Sequence, residues 1–546
     1  MPQSASHART TAEARGSDFD VVVVGAGFAG MYLLHRLRGL GLAAIVFETG
    51  GDVGGTWYWN RYPGARCDVE SMEYSYQFSH ELQQEWEWSE RYASQPEILR
   101  YANHVADRFD LRRDIRFNTR VTAATFDEGA GRWIVETGDG GRTTAGFCIM
   151  ATGCLSSANT PAIPGIETFA GSRYHTGNWP HDGVDFAGKR VAVIGTGSSA
   201  VQCIPHIARQ ARHLYVFQRT ATYAVPAHNT PMDPATQRRV KENYAGLRER
   251  AKRSLNGLLY PRNDASALKA SPLERERIFQ ERWDTGGLCF LGAFGDLMLD
   301  KRANDAAADF IRAKIRGTVR HPAVAEALLP KTVVGCKRLC VDTGYYETFN
   351  RPNVTLVDIG DAPIPAITRT GIVAKNQEYT LDAIVFATGF DAMTGALNRI
   401  AIRGVAARAL KDKWSEGPRT YLGLATVGFP NLFLITGPGS PSVLTNMIPS
   451  IEQHVDWIAD CVAYLRKRGI ARIEPTPAAE DAWVLQVNAI ANATLFPSCN
   501  SWYLGANIPG KPRVFMPHLG MPAYVKKCEE VVAGGYAGFT LTPGRT

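Results

Sequence analysis

Two glycine-rich segments of this chain have the spacing that holds the pyrophosphate of a nucleotide. The first is GAGFAG, with Gly25, Gly27 and Gly30, and the second is GTGSSA at 195–200. In such segments two glycines permit a tight turn and a close approach of backbone to phosphate, and the third position sets how closely the next helix packs on the strand. Two of them in one chain predict two bound dinucleotides that exchange electrons. Taken singly, each can also be no more than a tight turn between a strand and a helix.

The second segment departs from the pattern at one position only. Ala200 replaces the third glycine, a change that the pattern tolerates. The residues that we expect to contact the second nucleotide are Gly195, Thr196, Gly197, Ser198 and Ser199.

The residues at the ribose end distinguish the two nucleotides. Glu48 stands 23 residues after Gly25, where a carboxylate can accept hydrogen bonds from the ribose hydroxyls of an adenosine. At the matching place in the second unit the chain has Arg219 and Thr220 and no acid. A cation and a hydroxyl suit a 2′-phosphate. We therefore expect FAD at the first segment and NADP(H) at the second.

Short apolar runs surround each segment and predict the elements that position it. Strands are expected at 20–24 and 43–47 around a helix at 31–40, and the second unit repeats this with strands at 190–194 and 214–217. Two further buried strands, 147–150 and 383–386, each end in Ala-Thr-Gly. In flavoproteins with two dinucleotides such strands mark crossings between the domains. The prediction is an α/β fold with two Rossmann-like domains, the NADP domain inserted in the FAD domain.

This interpretation divides the chain into five segments. The FAD domain takes 1–155 and 386–546, the NADP domain takes 156–225 and 333–385, and 226–332 is a helical insertion rich in Arg, Glu, Lys, Ala and Leu. Charge runs such as 248–253 are expected to be solvated helix faces. The alternatives for the insertion are a cap over a substrate pocket or an oligomer contact.

Composition agrees with a large enzyme and excludes several other classes. Of the 546 residues 45% are hydrophobic and 21% charged, and the net charge of +7 is spread along the chain, so nucleic-acid binding is not expected. No apolar stretch is long enough for a membrane span. The ten cysteines lack metal-binding spacing and a redox-active CxxC pair, which favours reduced thiols in the cytoplasm and no metal site.

The segment FAGSRYHTGNWP at 169–180 fits the pattern FxGxxxHxxxWP. It resembles the type I Baeyer–Villiger monooxygenases, flavin enzymes that use NADPH and O2 to insert oxygen beside a ketone carbonyl, giving an ester or lactone. GGTWYWNRYPGARCD at 54–68, GPGSP at 437–441 and WYLGAN at 502–507 are similar to the same family. The resemblance covers about 19–540 and is closest to the phenylacetone, steroid and cyclic-ketone branch.

The resemblance implies catalytic residues as well as a reaction. In this family a flavin C4a-peroxide must stay an anion while it attacks the ketone, and a fixed arginine cation beside it does this. The similarity assigns that role to Arg338, with Asp68 as its ion-pair partner. It also places Lys337 on the NADP 2′-phosphate, together with Arg219 and Thr220.

Further cofactor contacts are implied residue by residue. On the FAD side these are Gly55, Thr56, Trp57, Asp68, Tyr74 and the backbone at Val121 and Met447. On the NADP side they are Arg66, Cys67, Asp68 and Trp502. His175 is interpreted as a linker residue that couples the domains and not as a proton-transfer group.

The sequence thus predicts an FAD-dependent Baeyer–Villiger monooxygenase acting on cyclic, aryl or steroid-like ketones. The nearest alternative is a flavin monooxygenase that oxygenates nitrogen or sulfur, and a more distant one is a nucleotide-binding redox sensor without turnover. The physiological ketone, the selectivity and the oligomeric state stay open.

Overall fold

The computed structural model describes residues 18–544. Residues 1–17 and 545–546, which the sequence assigns to the FAD domain, lie outside them. The strands are β1 Asp18–Val24, β2 Ala44–Phe47, β3 Ile115–Arg116, β4 Val121–Asp127, β5 Arg132–Thr137, β6 Arg142–Met150, β7 Ser172–His175, β8 Arg190–Ile194, β9 His213–Gln218, β10 Ala224–Pro226, β11 Cys340–Asp342, β12 Val354–Asp358, β13 Ala366–Ile367, β14 Gly371–Ala374, β15 Gln377–Thr380, β16 Ala383–Phe386, β17 Ala401–Arg403, β18 Leu432–Leu434, β19 Ile470–Pro475 and β20 Phe539–Pro543.

The α-helices of the described residues differ widely in length. They are α1 Phe28–Gly39, α2 Thr56–Trp59, α3 His80–Glu85, α4 Gln95–Arg108, α5 Ser198–Gln210, α6 Pro234–Glu242, α7 Tyr244–Lys252, α8 Pro272–Thr285, α9 Lys301–Thr318, α10 Pro322–Ala327, α11 Tyr345–Thr348, α12 Gly395–Asn398, α13 Leu410–Lys413, α14 Met447–Lys467, α15 Pro477–Asn492 and α16 Met521–Ala533. Short 3₁₀ turns include Ser442–Leu444 and Trp502–Leu504. No helix within 18–544 combines the length and the apolar character that crossing a membrane requires.

The first sheet carries the first glycine segment. Its strand order is β17-β4-β5-β6-β1-β2-β3, and β18 pairs with the far end of β6. Strand β1 lies between β2 and β6 in parallel register, with Val24 opposite Phe47 on one side and Met150 on the other. Both faces of β1 are covered, so Val21, Val22 and Val23 have no exposed surface. This explains the uninterrupted valine run, which is typical of a central parallel strand.

The second sheet carries the second glycine segment and is wholly parallel. Its order is β12-β9-β8-β16-β7. All of its strands fall in the chain between β6 and β17, which both belong to the first sheet. The fold is therefore the predicted α/β arrangement, in which one dinucleotide-binding domain is inserted in another.

The helical insertion comprises α6 to α10 and packs on both domains. Phe279, Phe290 and Phe310 join the core beneath the second sheet, whereas Tyr244 belongs to the core of the first. The expectation that the run 248–253 is a solvated helix face is wrong for its first residue. Arg248 is only 7% exposed, because the helical period turns it inward with Tyr244 and Ala251.

Candidate functional site

The first glycine segment is a turn in which two of the three glycines leave no room for a side chain. Gly25 has φ +106°, and a Cβ on it would lie 2.6 Å from the carbonyl oxygen of Ala151. A Cβ on Gly30 would lie 1.8 Å from the carbonyl oxygen of Gly25. Helix α1 starts directly after Gly27, which provides no side-chain cap. Its first N–H groups are thus left to an anion, as a pyrophosphate requires.

The segment at 54–68 lies directly on this turn. The Gly54 N–H donates to the Ala26 carbonyl at 3.1 Å, and a Cβ on Gly55 would come within 3.0 Å of the Cα of Gly27. Helix α2 then brings Thr56 and Trp57 over the turn. The Trp57 indole Nε1–H donates to the Tyr74 hydroxyl at 3.1 Å, and the two rings meet edge to face. The turn and these aromatic rings form one continuous wall.

Glu48 lies at the other end of this wall and is buried. Its carboxylate accepts hydrogen bonds from the N–H groups of Ala26 and Gly50, both at 2.7 Å. Burial raises the pKa of Glu48, and these N–H donors partly offset the rise. The backbone carbonyl of Glu48 also accepts from Thr119 N–H at 2.8 Å, two residues before β4 begins at Val121. The chain that leads into β4 and Val121 is therefore joined to Glu48 at the end of β2.

The second glycine segment repeats this construction. Gly195 has φ +120°, and a Cβ on it would lie 2.3 Å from the carbonyl oxygen of Ala387. Helix α5 starts at Ser198 after an uncapped Gly197. Ala151 and Ala387 are the alanines of the two Ala-Thr-Gly endings, so each ending closes against the first glycine of its own domain. The local geometry again fits a pyrophosphate.

Cations and hydroxyls gather at the ribose end of the second turn. The Thr196 hydroxyl donates to the carbonyl of Thr220 at 2.5 Å, which ties the turn to the end of β9. Burial lowers the pKa of Lys337, and the charge of Arg219 lowers it further. The two residues are 118 positions apart in the sequence, and in the folded chain the charge of one acts on the other. Two such cations fit a phosphate dianion.

Arg338 and Asp68 form a bidentate ion pair. The Arg338 Nε and Nη2 donate to the two oxygens of Asp68, each at 2.7 Å, and Nη1 donates to the carbonyl of Val443 at 2.8 Å. Burial alone disfavours the charged guanidinium, but the Asp68 charge and hydrogen bonds outweigh it and raise the pKa of Arg338. Asp68 also lines a cavity of about 470 Å³ between the segment 68–77 and the helical insertion. Arg338 is thus a permanently charged group beside a cavity.

The second half of the segment at 54–68 contacts the inserted domain. Gln202 of α5 accepts from the Tyr62 hydroxyl at 2.8 Å and donates to the backbone carbonyl of Arg66 at 3.0 Å. A Cβ on Gly64 would lie 2.5 Å from the carbonyl oxygen of Gln202. Sequence reasoning missed Gln202. Its only signal is an amide side chain in the apolar stretch of α5, where it is 6% exposed.

Arg66 and Cys67 lie between the two domains with their side chains already engaged. The Arg66 guanidinium donates to Glu90 at 3.0 Å and to the carbonyl of Tyr92 at 3.1 Å. The Cys67 thiol is buried and accepts from Val69 N–H at 3.4 Å. Arg66 therefore contacts the inserted domain through its backbone, at Gln202, and not through its guanidinium.

The loop that carries Trp502 is bonded to the residues that follow the second Ala-Thr-Gly ending. Trp502 stands in a 3₁₀ turn beside Tyr503, with ring centroids 4.2 Å apart. Further along the loop, Asn507 donates to the carbonyl of Phe390 at 2.7 Å, and Lys511 pairs with Asp391. Phe390 and Asp391 directly follow the second Ala-Thr-Gly ending, so these contacts attach the loop to that ending.

Met447 and His175 each lie at the end of a secondary-structure element. Met447 is the first residue of α14, directly after Asn446, whose side chain donates to the carbonyl of Glu73 at 2.9 Å. His175 ends β7 and lies within hydrogen-bond distance of the Thr388 hydroxyl, and burial lowers its pKa. A neutral histidine beside the crossing agrees with the linker interpretation. Among residues 18–544 no cluster of His, Cys, Asp and Glu is arranged to hold a metal ion.

Comparisons with known proteins agree with this geometry. The family model described as pyridine nucleotide-disulphide oxidoreductase matches residues 22–254. A Baeyer-Villiger monooxygenase of Pseudooceanicola batsensis is 46% identical over 526 residues, which are 95% of this chain and 96% of that protein. The solved structure of an oxidized steroid monooxygenase bound to NADP is 55% identical and superposes with a TM-score of 0.92, covering 96% of this chain and all of that one.

The chain belongs to the type I Baeyer–Villiger monooxygenases. This Baeyer–Villiger monooxygenase is a flavoprotein oxidoreductase with FAD and NADPH as cofactors and a small-molecule ketone as substrate. A phenazine N-monooxygenase of Lysobacter antibioticus is 42% identical over 528 residues, 96% of this chain and 97% of that protein. Nitrogen oxygenation is the named activity of that relative, whereas the comparisons as a whole support ketone oxygenation for this chain.

Proposed function

We propose that Arg338 and Asp68 are the catalytic residues of this enzyme and that it oxygenates a cyclic, aryl or steroid-like ketone bound in the cavity beside them. The observation that carries the proposal is the bidentate Arg338–Asp68 pair, of which Asp68 lines a cavity of about 470 Å³. A cavity of this size and a fixed cation together provide space for a ketone and charge for its reaction.

FAD, reduced by NADPH, supplies the oxygen-activating chemistry when it is bound. Arg338 holds a positive charge where negative charge develops on the reacting oxygen atoms, and it cannot give up its proton to them because its pKa is raised above an already high value. Asp68 fixes the plane of the guanidinium through two hydrogen bonds, and the Val443 carbonyl fixes its third nitrogen. The cation is therefore oriented before substrate arrives, which reduces the reorganisation needed during the reaction.

The chain's own residues also account for both cofactors. For FAD we propose contacts from Gly25, Gly27, Gly30, Glu48, Gly55, Thr56, Trp57, Asp68, Tyr74, Val121 and Met447. For NADP we propose contacts from Arg66, Cys67, Asp68, Gly195, Thr196, Gly197, Ser198, Ser199, Arg219, Thr220, Lys337 and Trp502. The support is the pair of uncapped helix starts and, at their ribose ends, a buried carboxylate in one domain and two cations in the other.

The division into domains is proposed with the boundaries given by the sequence. The FAD domain comprises 1–155 and 386–546, the NADP domain 156–225 and 333–385, and the helical insertion 226–332. The order of the strands along the chain supports this division. We also propose a cytoplasmic location, because ten buried free thiols suit a reducing compartment.

The test is the oxidation of a ketone panel by FAD-loaded Arg338→Ala. Purified variant and wild-type enzyme receive NADPH and linear, aryl, cyclic and steroidal ketones, and products are identified by mass spectrometry. We expect ester and lactone formation to fall at least about 100-fold in the variant while NADPH oxidation continues, a loss in the range of removing one oxyanion-stabilising group.

The matched control is Arg316→Ala, since Arg316 is an exposed arginine of the helical insertion paired with Glu326. This variant should oxidise ketones at the wild-type rate. Unchanged ketone oxidation by Arg338→Ala would remove Arg338 from the mechanism. A wild-type enzyme that oxygenates phenazine or a thioether but none of the ketones would favour the nitrogen- or sulfur-oxygenating alternative.

A further inference from the structure

The cavity beside Asp68 has an apolar wall that suits a hydrocarbon skeleton. Side chains from the segment that follows Asp68 and from the helical insertion line it, among them Val69, Met72, Tyr244, Leu247 and Leu258. The insertion thus forms part of the cavity wall. Apolar contact of this kind binds the hydrocarbon part of a ketone without specifying its orientation.

Three polar side chains also line the cavity, and two of them have buried atoms without a hydrogen-bond partner. The side-chain nitrogen and oxygen of Gln77 and the Nε of Arg248 are buried and unpartnered within residues 18–544. The third residue, Glu73, is half-buried and accepts from Leu259 N–H at 2.8 Å through one carboxylate oxygen. Buried polar groups are rarely left unsatisfied, because each lost hydrogen bond costs free energy. Two such side chains around one cavity, beside the carboxylate of Glu73, indicate a polar group of a ligand.

These three residues are held in one place by the protein backbone. Arg248, 93% buried, donates to the carbonyl of Glu73 at 3.0 Å and to the Ser75 hydroxyl at 2.7 Å. The N–H groups of Gln77 and of Phe78 are both bound by the Glu452 carboxylate. The polar groups are therefore preorganised on the chain segment that begins at Asp68.

The chemistry of the cluster favours a hydroxyl over an ion. Glu73 and Gln77 together offer an acceptor and a donor, which a hydroxyl satisfies because it both donates and accepts. Glu73 and Arg248 carry opposite charges at the same cavity, so an ion of either sign would meet one attracting and one repelling group, and the cluster favours a neutral ligand group. Burial raises the pKa of Glu73 to about 7, so it is present in both forms near neutral pH, and a hydroxyl can pair with either.

We propose that the preferred substrates are ketones with a hydroxyl group remote from the carbonyl, and that Glu73 and Gln77 bind this hydroxyl while the carbonyl lies toward Asp68 and Arg338. The assignment rests on the proposed function of this cavity. It makes Glu73 and Gln77 specificity-determining residues that take no part in oxygen transfer.

The test compares two ketones that differ by one hydroxyl, 4-(4-hydroxycyclohexyl)cyclohexanone and 4-cyclohexylcyclohexanone. Kinetics with NADPH and isothermal titration calorimetry of the FAD-loaded enzyme are measured for wild type, Gln77→Leu, Glu73→Leu and Glu73→Gln. Gln77→Leu removes no hydrogen bond made by that side chain within the protein. We expect it to lower kcat/KM and affinity for the hydroxyketone about five- to tenfold, the range of one hydrogen bond, and to leave the ketone without hydroxyl unchanged.

Glu73→Leu should show the same selective loss, and Glu73→Gln should recover most of it because an amide also pairs with a hydroxyl. Should Glu73→Leu fail to fold, Gln77→Leu still decides. Gln280→Leu is the control, since Gln280 lies on α8 outside the cavity and bonds to Asp284. An equal effect of Gln77→Leu on both ketones, or none on the hydroxyketone, would overturn the assignment. Tighter wild-type binding of the hydroxyketone without any lactone would instead overturn the proposed function and keep the hydroxyl site.

Discussion

The two glycine turns have nearly the same backbone but differ where they meet the rest of the nucleotide. Their first glycines have φ of +106° and +120°, and the residues before the two helices have φ of −75° and −77°. At the ribose end, however, the first unit has buried Glu48 and the second has Arg219 and Lys337. From this comparison we propose that the turn positions a pyrophosphate, whereas the residues at the ribose end select the nucleotide.

A second difference concerns the third position of each turn. A Cβ on Gly30 would lie 1.8 Å from a backbone oxygen, yet Ala200 carries its Cβ in a fully buried position. The backbone around this third position must therefore differ between the two turns.

The largest effect is expected from Gly30→Ala. The new Cβ collides with the backbone of Gly25, which cannot move without opening the turn, and we expect destabilisation of about 3 kcal/mol or more with most protein purified free of FAD. The ratio of flavin to protein absorbance and the thermal midpoint measure it. A variant with normal flavin content would show that the two turns tolerate alanine equally.

The second-largest effect is expected from Lys337→Ala, which should distinguish NADPH from NADH. Lys337→Ala should raise the KM for NADPH about 10- to 100-fold, the value of a hydrogen bond to a charged group, and leave the KM for NADH within about twofold. Steady-state kinetics with both nucleotides measure this. The exposed Lys331, altered to Ala, is the control and should change neither. An equal rise for NADH would place Lys337 away from the 2′-phosphate.

Glu48→Gln tests the ribose end of the first unit, where we propose that FAD binds. An amide nitrogen replaces one of the two oxygens that accept N–H groups, so the variant should bind FAD about tenfold more weakly while its KM for NADPH stays the same. FAD titration of the apoprotein measures the change. Glu136→Gln on the exposed face of β5 serves as the control. Weaker binding of NADPH with unchanged binding of FAD would mean that the first turn holds NADP(H) and the second holds FAD.

The pH dependence of NADPH binding sharpens the role of the two cations. Lys337 must be protonated to bind a phosphate, and its pKa is lowered by burial and by Arg219, so the KM for NADPH should rise with pH earlier than for an ordinary lysine. In Arg219→Ala one of these causes is gone, and the rise should move to higher pH. Profiles with NADH should be flat over the same range. A rise that moves to lower pH in this variant would contradict the proximity of the two cations.

The smallest effect is expected from Ala200→Gly. Removing this methyl group at the start of α5 should cost no more than about 1 kcal/mol, through the greater backbone freedom of glycine. The thermal midpoint should fall by a few degrees at most, and the KM for NADPH should stay within about twofold. A large loss would mean that the Ala200 side chain is essential for packing α5 on its strand.

Sequence reasoning succeeded where function depends on local geometry. The glycine turns, the strands beside them and the Ala-Thr-Gly endings all depend on neighbouring residues and have characteristic patterns. It failed at Gln202 and Arg248, because a polar residue on a helix has no local sign of whether it faces solvent or a partner more than 100 residues away. The roles assigned to Arg338 and Asp68 came from the family resemblance, since a lone Lys-Arg pair has no pattern of its own.

The sequence by itself determined two dinucleotide turns, their different ribose ends and the insertion of one domain in the other, since each follows from residue types at short spacing. Only the tertiary structure decided that Arg338 reaches Asp68 across 270 residues and that Gln202 joins the domains. It also decided that Glu73, Gln77 and Arg248 line one cavity, where side-chain atoms of Gln77 and Arg248 have no partner within residues 18–544. The physical reason is that hydrogen bonds and cavities depend on distances in space, which the folding of both domains and the helical insertion sets together.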